Sequence, residues 1–119
     1  MVAELDKKFG TVRIAPGVLA AIVNAATLEV AGVLRMGEVA GAVNNGLRGR
    51  IFTGRHAEHR GVQIEVREGS VHADLYVIVS KAQNIREVGR QVQDNVSKAI
   101  RQMVGMPVEQ INVFIQNVE

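Results

Sequence analysis

The sequence predicts an α+β fold of two layers, with two main helices packed on a mixed β-sheet. Three observations carry that expectation. Val62 to Val79 alternates apolar and polar residues on both sides of Glu68-Gly69, the period-two pattern of a hairpin with one buried face. Ile85 to Met103 repeats apolar residues at helical spacing, and Val18, Leu19, Ile22, Val23 and Ala26 do the same nearer the start. Strands and helices of comparable weight, each with one apolar face, bury those faces against one another.

The elements follow in order. Lys8 to Ile14 sets Val12 and Ile14 against Thr11 and Arg13, which predicts a short first strand. Pro16 suits the first turn of a helix, where its missing N–H costs nothing. Ala20, Ala21 and Ala25 leave the other faces of that helix hardly polar. A helix apolar all round is buried on more than one side, under the sheet or against another subunit. Val30 to Met36 predicts a second strand. Residues 37–61 hold six glycines in 25 positions, which predicts a Gly/Arg-rich loop with a helical turn or two near Val39 to Asn45. Loops beyond about 12–15 residues are usually functional or disordered.

After the hairpin, Asn84 caps a second helix, with Glu87 three residues on as in a capping box,. Ile85, Val88, Val92, Val96, Ala99, Ile100 and Met103 form its apolar stripe. Arg86, Arg90, Gln91, Asp94, Lys98 and Arg101 fill the outer face, and Gly105 and Pro107 end it,. Ile111, Val113 and Ile115 alternate with Asn112, Phe114 and Gln116 as a last strand. The expected order is β-α-β-loop-β-β-α-β, a single domain over residues 1–119 without repeat or linker.

Composition bounds the function classes. With 47% hydrophobic and 22% charged residues, the chain is neither low-complexity nor collagen-like,. The absence of cysteine removes disulfides, thiol catalysis and cysteine-based metal sites, and suits a cytoplasmic compartment,. The net charge of +2 is too small to imply a polyanion partner, but its distribution is uneven. Arg48, Arg50, Arg55 and Arg60 face only Glu58 between residues 48 and 60, so one basic segment sits on a nearly neutral body. Met1 to Lys8 has no signal-peptide core. Val18 to Leu34 is interrupted by Asn24, Thr27, Glu29 and Gly32, so no membrane span is expected,. Membrane association then has to come from a partner or a surface patch.

Motifs for catalysis are weak. Ser70, Ser80 and Ser97 sit in a turn, at a strand end and on a helix's polar face, none of them in a nucleophile elbow,. His56, Glu58 and His59 would be the metal candidates, but His72 is the only other histidine and no third ligand is evident,. Gly41 to Gly46 has the glycine spacing of a phosphate loop, yet Leu47 and Arg48 stand where lysine and a hydroxyl residue are needed,. No catalytic residue, metal, cofactor or small-molecule substrate is expected. Gly46-Leu47-Arg48-Gly49 also matches the GxxG clamp of KH domains,. The nearby arginines fit backbone phosphates, so nucleic acid, RNA in particular, is the alternative partner; scarce aromatics limit base stacking. Glu65 and Asp74 are expected as neighbours on an exposed sheet face. Tyr76, Ile78 and Phe114 lie on that face too, an apolar element that predicts cover by another subunit,.

Across residues 10–118 the chain resembles the alkaline shock protein family of envelope-stress proteins. The resemblance rests on Ala25 to Val33, Gly61 to Val66, Val71 to Val79, Asn84 to Val88, Val92 to Val96, Met103 to Val108 and Ile111 to Val113, in that order and spacing. It implies a non-enzymatic cytoplasmic protein of cell-envelope homeostasis that self-associates as a scaffold or adaptor. It also implies placement at the inner face of the membrane through a membrane-anchored partner. No catalytic residues carry over. Arg86 stands where proline is frequent in relatives, and the segment 46–60 is more basic than the family pattern. That departure leaves room for anionic lipid or nucleic acid at Arg48, Arg50, Arg55 and Arg60.

Overall fold

The computed structural model describes residues 9–39 and 56–119. Within them the elements run α1 (Pro16–Leu28), β1 (Val33–Met36), β2 (His56–His59), β3 (Val62–Arg67), β4 (Ser70–Val79), α2 (Ile85–Met103) and β5 (Val108–Val118). The α+β class and the mixed sheet are as the sequence predicts. Two elements differ. Residues 9–15 form no strand, because Gly10 at φ 108° breaks the extended run and only two apolar residues would have anchored it. A strand appears instead at β2, inside the stretch expected as loop. It pairs antiparallel with β3 from His56↔Glu65 to His59↔Val62, and its sequence has no apolar alternation to betray it.

β4 is the centre of the sheet. β5 runs parallel along one edge of it, from Val71↔Val108 to Val79↔Val118. β3 lies antiparallel on the opposite edge from Val62↔Leu75 to Arg67↔Ser70, and β1 occupies the rest of that edge at Val77 to Val79. β1 and β3 therefore meet end to end beside Tyr76. The seam is closed by backbone: Gly37 N donates to Tyr76 O at 2.7 Å, and Tyr76 N donates to Gly61 O at 2.8 Å. Gly61 sits at φ 71°, and a Cβ there would come within 2.8 Å of Tyr76 O and 2.9 Å of Gly37 O. No other residue fits the seam without moving backbone.

The hairpin β3–β4 turns through Glu68 at φ 50° and Gly69 at φ 80°. Two positive φ values match the twist of the flanking strands, and Asn-Gly is the favoured pair for such a turn.

Both helices lie on one face of the sheet. Inward-pointing Val62, Ile64, Val71, Leu75, Val77 and Val79 are 1% exposed or less, as are Leu19 and Val23 of α1 and Val92, Val96 and Ile100 of α2. Asn84 Oδ1 accepts from Glu87 N at 3.0 Å and starts α2. Gly105 N donates back to Ile100 O at 3.1 Å and ends it. The ends of the predicted stripe fall outside the core: Ile85 is 38% and Met103 68% exposed. α1 has neither an acidic first turn nor a basic last turn. Its C-terminal carbonyls find a partner in α2, where Asn95 Nδ2 donates to Ala26 O at 2.7 Å, answering one of the carbonyls a helix end leaves unpaired. Thr27, fully buried, is satisfied by donating Oγ1–H to Val23 O at 2.8 Å.

Glu68→Asn is expected to raise stability by about 0.5–1 kcal/mol, since asparagine tolerates the left-handed conformation better than glutamate. Asn95→Ala is expected to lower it by about 1–2 kcal/mol by leaving the Ala26 carbonyl without a protein donor. Urea titration of both variants checks these values.

Candidate functional site

The outward face of the sheet carries no helix among the described residues. β4 turns His72, Asp74, Tyr76 and Ile78 toward it, as the alternation with the buried Val71, Ala73, Leu75 and Val77 requires,. The face divides in two. At the hairpin end, Gln63, Glu65, Arg67, His72, Asp74, Gln110 and Asn112 line a polar hollow of about 250 Å³. Its charges are already partnered. Arg67 Nε donates to Glu65 Oε1 at 2.7 Å, and Asn112 Nδ2 donates to Asp74 Oδ1 at 2.9 Å. The Glu65 carboxylate, by hydrogen bond and charge, holds the Arg67 guanidinium further toward its cationic form. Glu65 and Asp74 do share the face, and among the described residues no His, Asp and Glu side chains converge as a metal cage would need.

The other end is aromatic. Tyr76 and Phe114 are register partners across β4 and β5, and their rings stack with centroids 4.9 Å apart at 19°. Partial burial, then the nearby Asp74 carboxylate, push the Tyr76 hydroxyl above its ordinary pKa. Phe114 remains 44% exposed, whereas Ile78 is only 8% exposed although it points away from the helices. Two bridges pass over β4 there. Gln116 Oε1 accepts from Glu38 N at 2.9 Å while its Nε2 donates to Glu38 O at 2.7 Å. Arg35 holds Glu119 through Nη1–Oε1 at 2.7 Å and Nη2–Oε2 at 2.5 Å. Both tie the β1 side of the sheet to β5, so the segment after β1 and the end of β5 are fixed around Ile78. The sequence predicts the shared face of Tyr76, Ile78 and Phe114, but no pattern marks either bridge, whose partners stand 78 and 84 positions apart.

Of the four arginines, Arg60 is described: its Nη2 lies 3.4 Å from Glu38 Oε2, an exposed pair that contributes between about 0 and 1 kcal/mol. Arg48, Arg50 and Arg55 lie outside the described residues, as do Gly46 to Gly49, the phosphate-loop-like Gly41 to Gly46, and Phe52. His56, Glu58 and His59 fall in β2.

A second surface lies on the helix side. α1 is buried on one side by Leu19, Ala20, Val23 and Ala26, while Val18 and Leu28 stay 48% and 44% exposed. α1 and α2 enclose a groove of about 630 Å³, walled by Val18, Ala21, Ile22, Ala25, Ala99 and Met103. Among the described residues, the helix apolar all round is thus covered on one side only.

An open-faced α+β sandwich, with both helices on one side of a mixed sheet centred on β4, is the class the fold defines. The chain belongs to the alkaline shock protein 23 family, described by its cell envelope-related function, with the match covering residues 4–119. It is 30% identical over 121 residues to the uncharacterized protein YloU of Bacillus subtilis, covering 99% of this chain and 96% of that one. The uncharacterized protein Spy1614 of Streptococcus pyogenes serotype M6 is 23% identical, over 100% of this chain and 96% of its own length. Among solved structures, MamM CTD in a Cys-to-Ser variant superposes with TM-score 0.55 at 16% identity, over 86% of this chain and 95% of that one. The nickel form of a Glu-to-His variant of MamM CTD gives the same score over 98% of its chain. At that identity the likeness concerns the fold.

The Arg35 guanidinium, by hydrogen bond and charge, holds the Glu119 carboxyl below its ordinary value of 4.5. A carboxyl depressed in the folded state adds stability that is complete above its unfolded pKa and disappears as pH falls through the folded value. Glu119→Gln is therefore expected to leave a shallower loss of stability on acidification below pH 4.5 than the unsubstituted chain shows. Thermal melts between neutral pH and about pH 3 read the difference.

Proposed function

We propose that this chain is a non-enzymatic scaffold or adaptor of the cell envelope, self-associating through the aromatic end of its outward sheet face. The observation that carries the reading is the Tyr76–Phe114 stack on a face without helices. Solvent-facing sides of antiparallel sheets are normally polar, and an apolar element on one marks a contact surface. Membership of a family with cell envelope-related function supports the setting. Among the described residues no helix is long and apolar enough to cross a membrane. Placement at the inner face of the cell membrane then falls to a membrane-anchored partner. Arg48, Arg50, Arg55 and Arg60 meet an acidic partner or anionic lipid in this reading, and Arg60 gives up its weak pair with Glu38 to do so.

Light scattering on a sizing column, recorded at 260 and 280 nm, tests it. With no Trp and one Tyr the protein absorbs little, so bound nucleic acid would dominate the trace. The expected outcome is a multimer without excess absorbance at 260 nm, reduced to monomer by Phe114→Asp. Phe114 is 44% exposed, so the substitution costs the fold little. A monomer before substitution, or an unchanged mass after it, would defeat the self-association. A nuclease-sensitive 260 nm component would favour RNA binding by the arginine-rich segment instead.

A further inference from the structure

β5 is an edge strand of 11 residues, paired with β4 on one side and, among the described residues, with no strand on the other. Such an edge presents a row of backbone donors and acceptors to any extended chain. One of them is met from within the molecule. Gln93 Nε2 of α2 donates to Ile111 O at 3.0 Å, so this carbonyl takes a side-chain amide where a neighbouring strand would supply a backbone N–H.

Beside this edge, α2 and β5 enclose a groove of about 500 Å³. Its walls are Ile85, Val113 and Ile115, with Arg86 and Arg90 on the helix side and Gln93 at one end. The groove owes its room to Gly89, around which nothing lies within 4 Å of the position a Cβ would take. Ile85 is 38% exposed at its mouth. Among the described residues the ion pairs are Arg35–Glu119, Arg60–Glu38 and Arg67–Glu65, so Arg86 and Arg90 bring two unpaired cations to the groove.

We propose that this groove binds an extended, acidic segment of a protein partner by strand addition to the free edge of β5. Alternate residues of an added strand point to opposite sides, so every second side chain enters the groove. The apolar ones meet Ile85, Val113 and Ile115, and carboxylates pair with Arg86 and Arg90. Backbone hydrogen bonds supply affinity and the pockets supply selectivity, as in other strand-addition modules. The groove lies on the helix side of β5, whereas Phe114 of the same strand faces the other side, and the proposal does not depend on self-association.

The test pans a phage library of random 12-residue peptides on the full-length chain, then measures an enriched peptide, fluorescein-labelled, by anisotropy. Enriched sequences are expected to alternate apolar and acidic residues and to shift the amide resonances of β5. Gly89→Leu fills the groove from the helix and removes a helix-interior glycine, so the variant folds at least as stably while affinity falls about tenfold or more. Arg86→Glu with Arg90→Glu is expected to weaken acidic peptides to the same extent. Glu68→Asn, in the β3–β4 turn and away from Val113 and Ile115, is expected to leave peptide affinity unchanged. Absence of enrichment, binding indifferent to Gly89→Leu, or shifts confined to residues away from β5 would overturn the proposal.

Discussion

Every strand of the sheet except β2 is hydrogen-bonded to β4, and the alternation along β4 sets which side chains each neighbour turns to the helices. Val71, Ala73, Leu75, Val77 and Val79 all point inward and are at most 2% exposed. Shifting β4 by one residue would send Asp74 and His72 into the helix layer, at a cost of several kcal/mol per buried unpaired charge. The register of β3, β1 and β5 is thus held by a single row. The seam at Tyr76 follows from the same geometry. One strand of ten residues is longer than β3, so its remaining edge is taken by β1, and the joint closes only because Gly61 lacks a side chain.

The two ends of the outward face behave differently for a physical reason. At the hairpin end the charged groups are paired inside the chain, Arg67 with Glu65 and Asp74 with Asn112, and exposed pairs of this kind lose little to water. Nothing there calls for a partner. At the other end, Gln116 and the Arg35–Glu119 pair bridge β4 and leave Ile78 buried. The stack of Tyr76 and Phe114 is the part of that apolar ground still open to solvent. Covering it removes apolar surface from water at about 25 cal/mol per Å², whereas covering the polar hollow has to replace the hydrogen bonds its groups make to water.

Much of this was legible in the sequence because the signals were local. The hairpin, α2 with its Asn84 cap, and the shared face of Tyr76 and Phe114 each follow from spacing over a few residues, and their structure agrees. The first strand expected over Lys8 to Ile14, of which residues 9–14 are described and form none, shows the limit: two alternating apolar residues weigh little against Gly10. β2 was invisible because His56-Ala57-Glu58-His59 carries no apolar alternation, and its pairing with β3 joins it to the sheet only in the folded chain. The bridges from Gln116 to Glu38 and from Arg35 to Glu119 were equally hidden, as each joins residues that only the completed sheet brings together. The groove beside β5 depends on an empty Gly89 position in α2, a feature that reads in sequence only as a weak point in the helix.

The surfaces lie on different sides of the core, which constrains how an assembly can grow. A contact between two copies of the Tyr76–Phe114 face is self-complementary, so it closes as a two-fold dimer and consumes the outward sheet face. The groove between α1 and α2 lies across the core from that face, walled by Val18, Ala21, Ala99 and Met103. It would remain open in such a dimer, and the helix side of the free edge of β5 lies across the strand from Phe114. Arg86 and Arg90 stand on the α2 side of that edge, away from the dimer contact. A dimer closed through the sheet therefore carries two copies of each remaining surface, and a partner bound at one need not displace the other copy. Such an arrangement would suit the proposed adaptor, with self-association on the outward side of β5 and partner binding on its helix side.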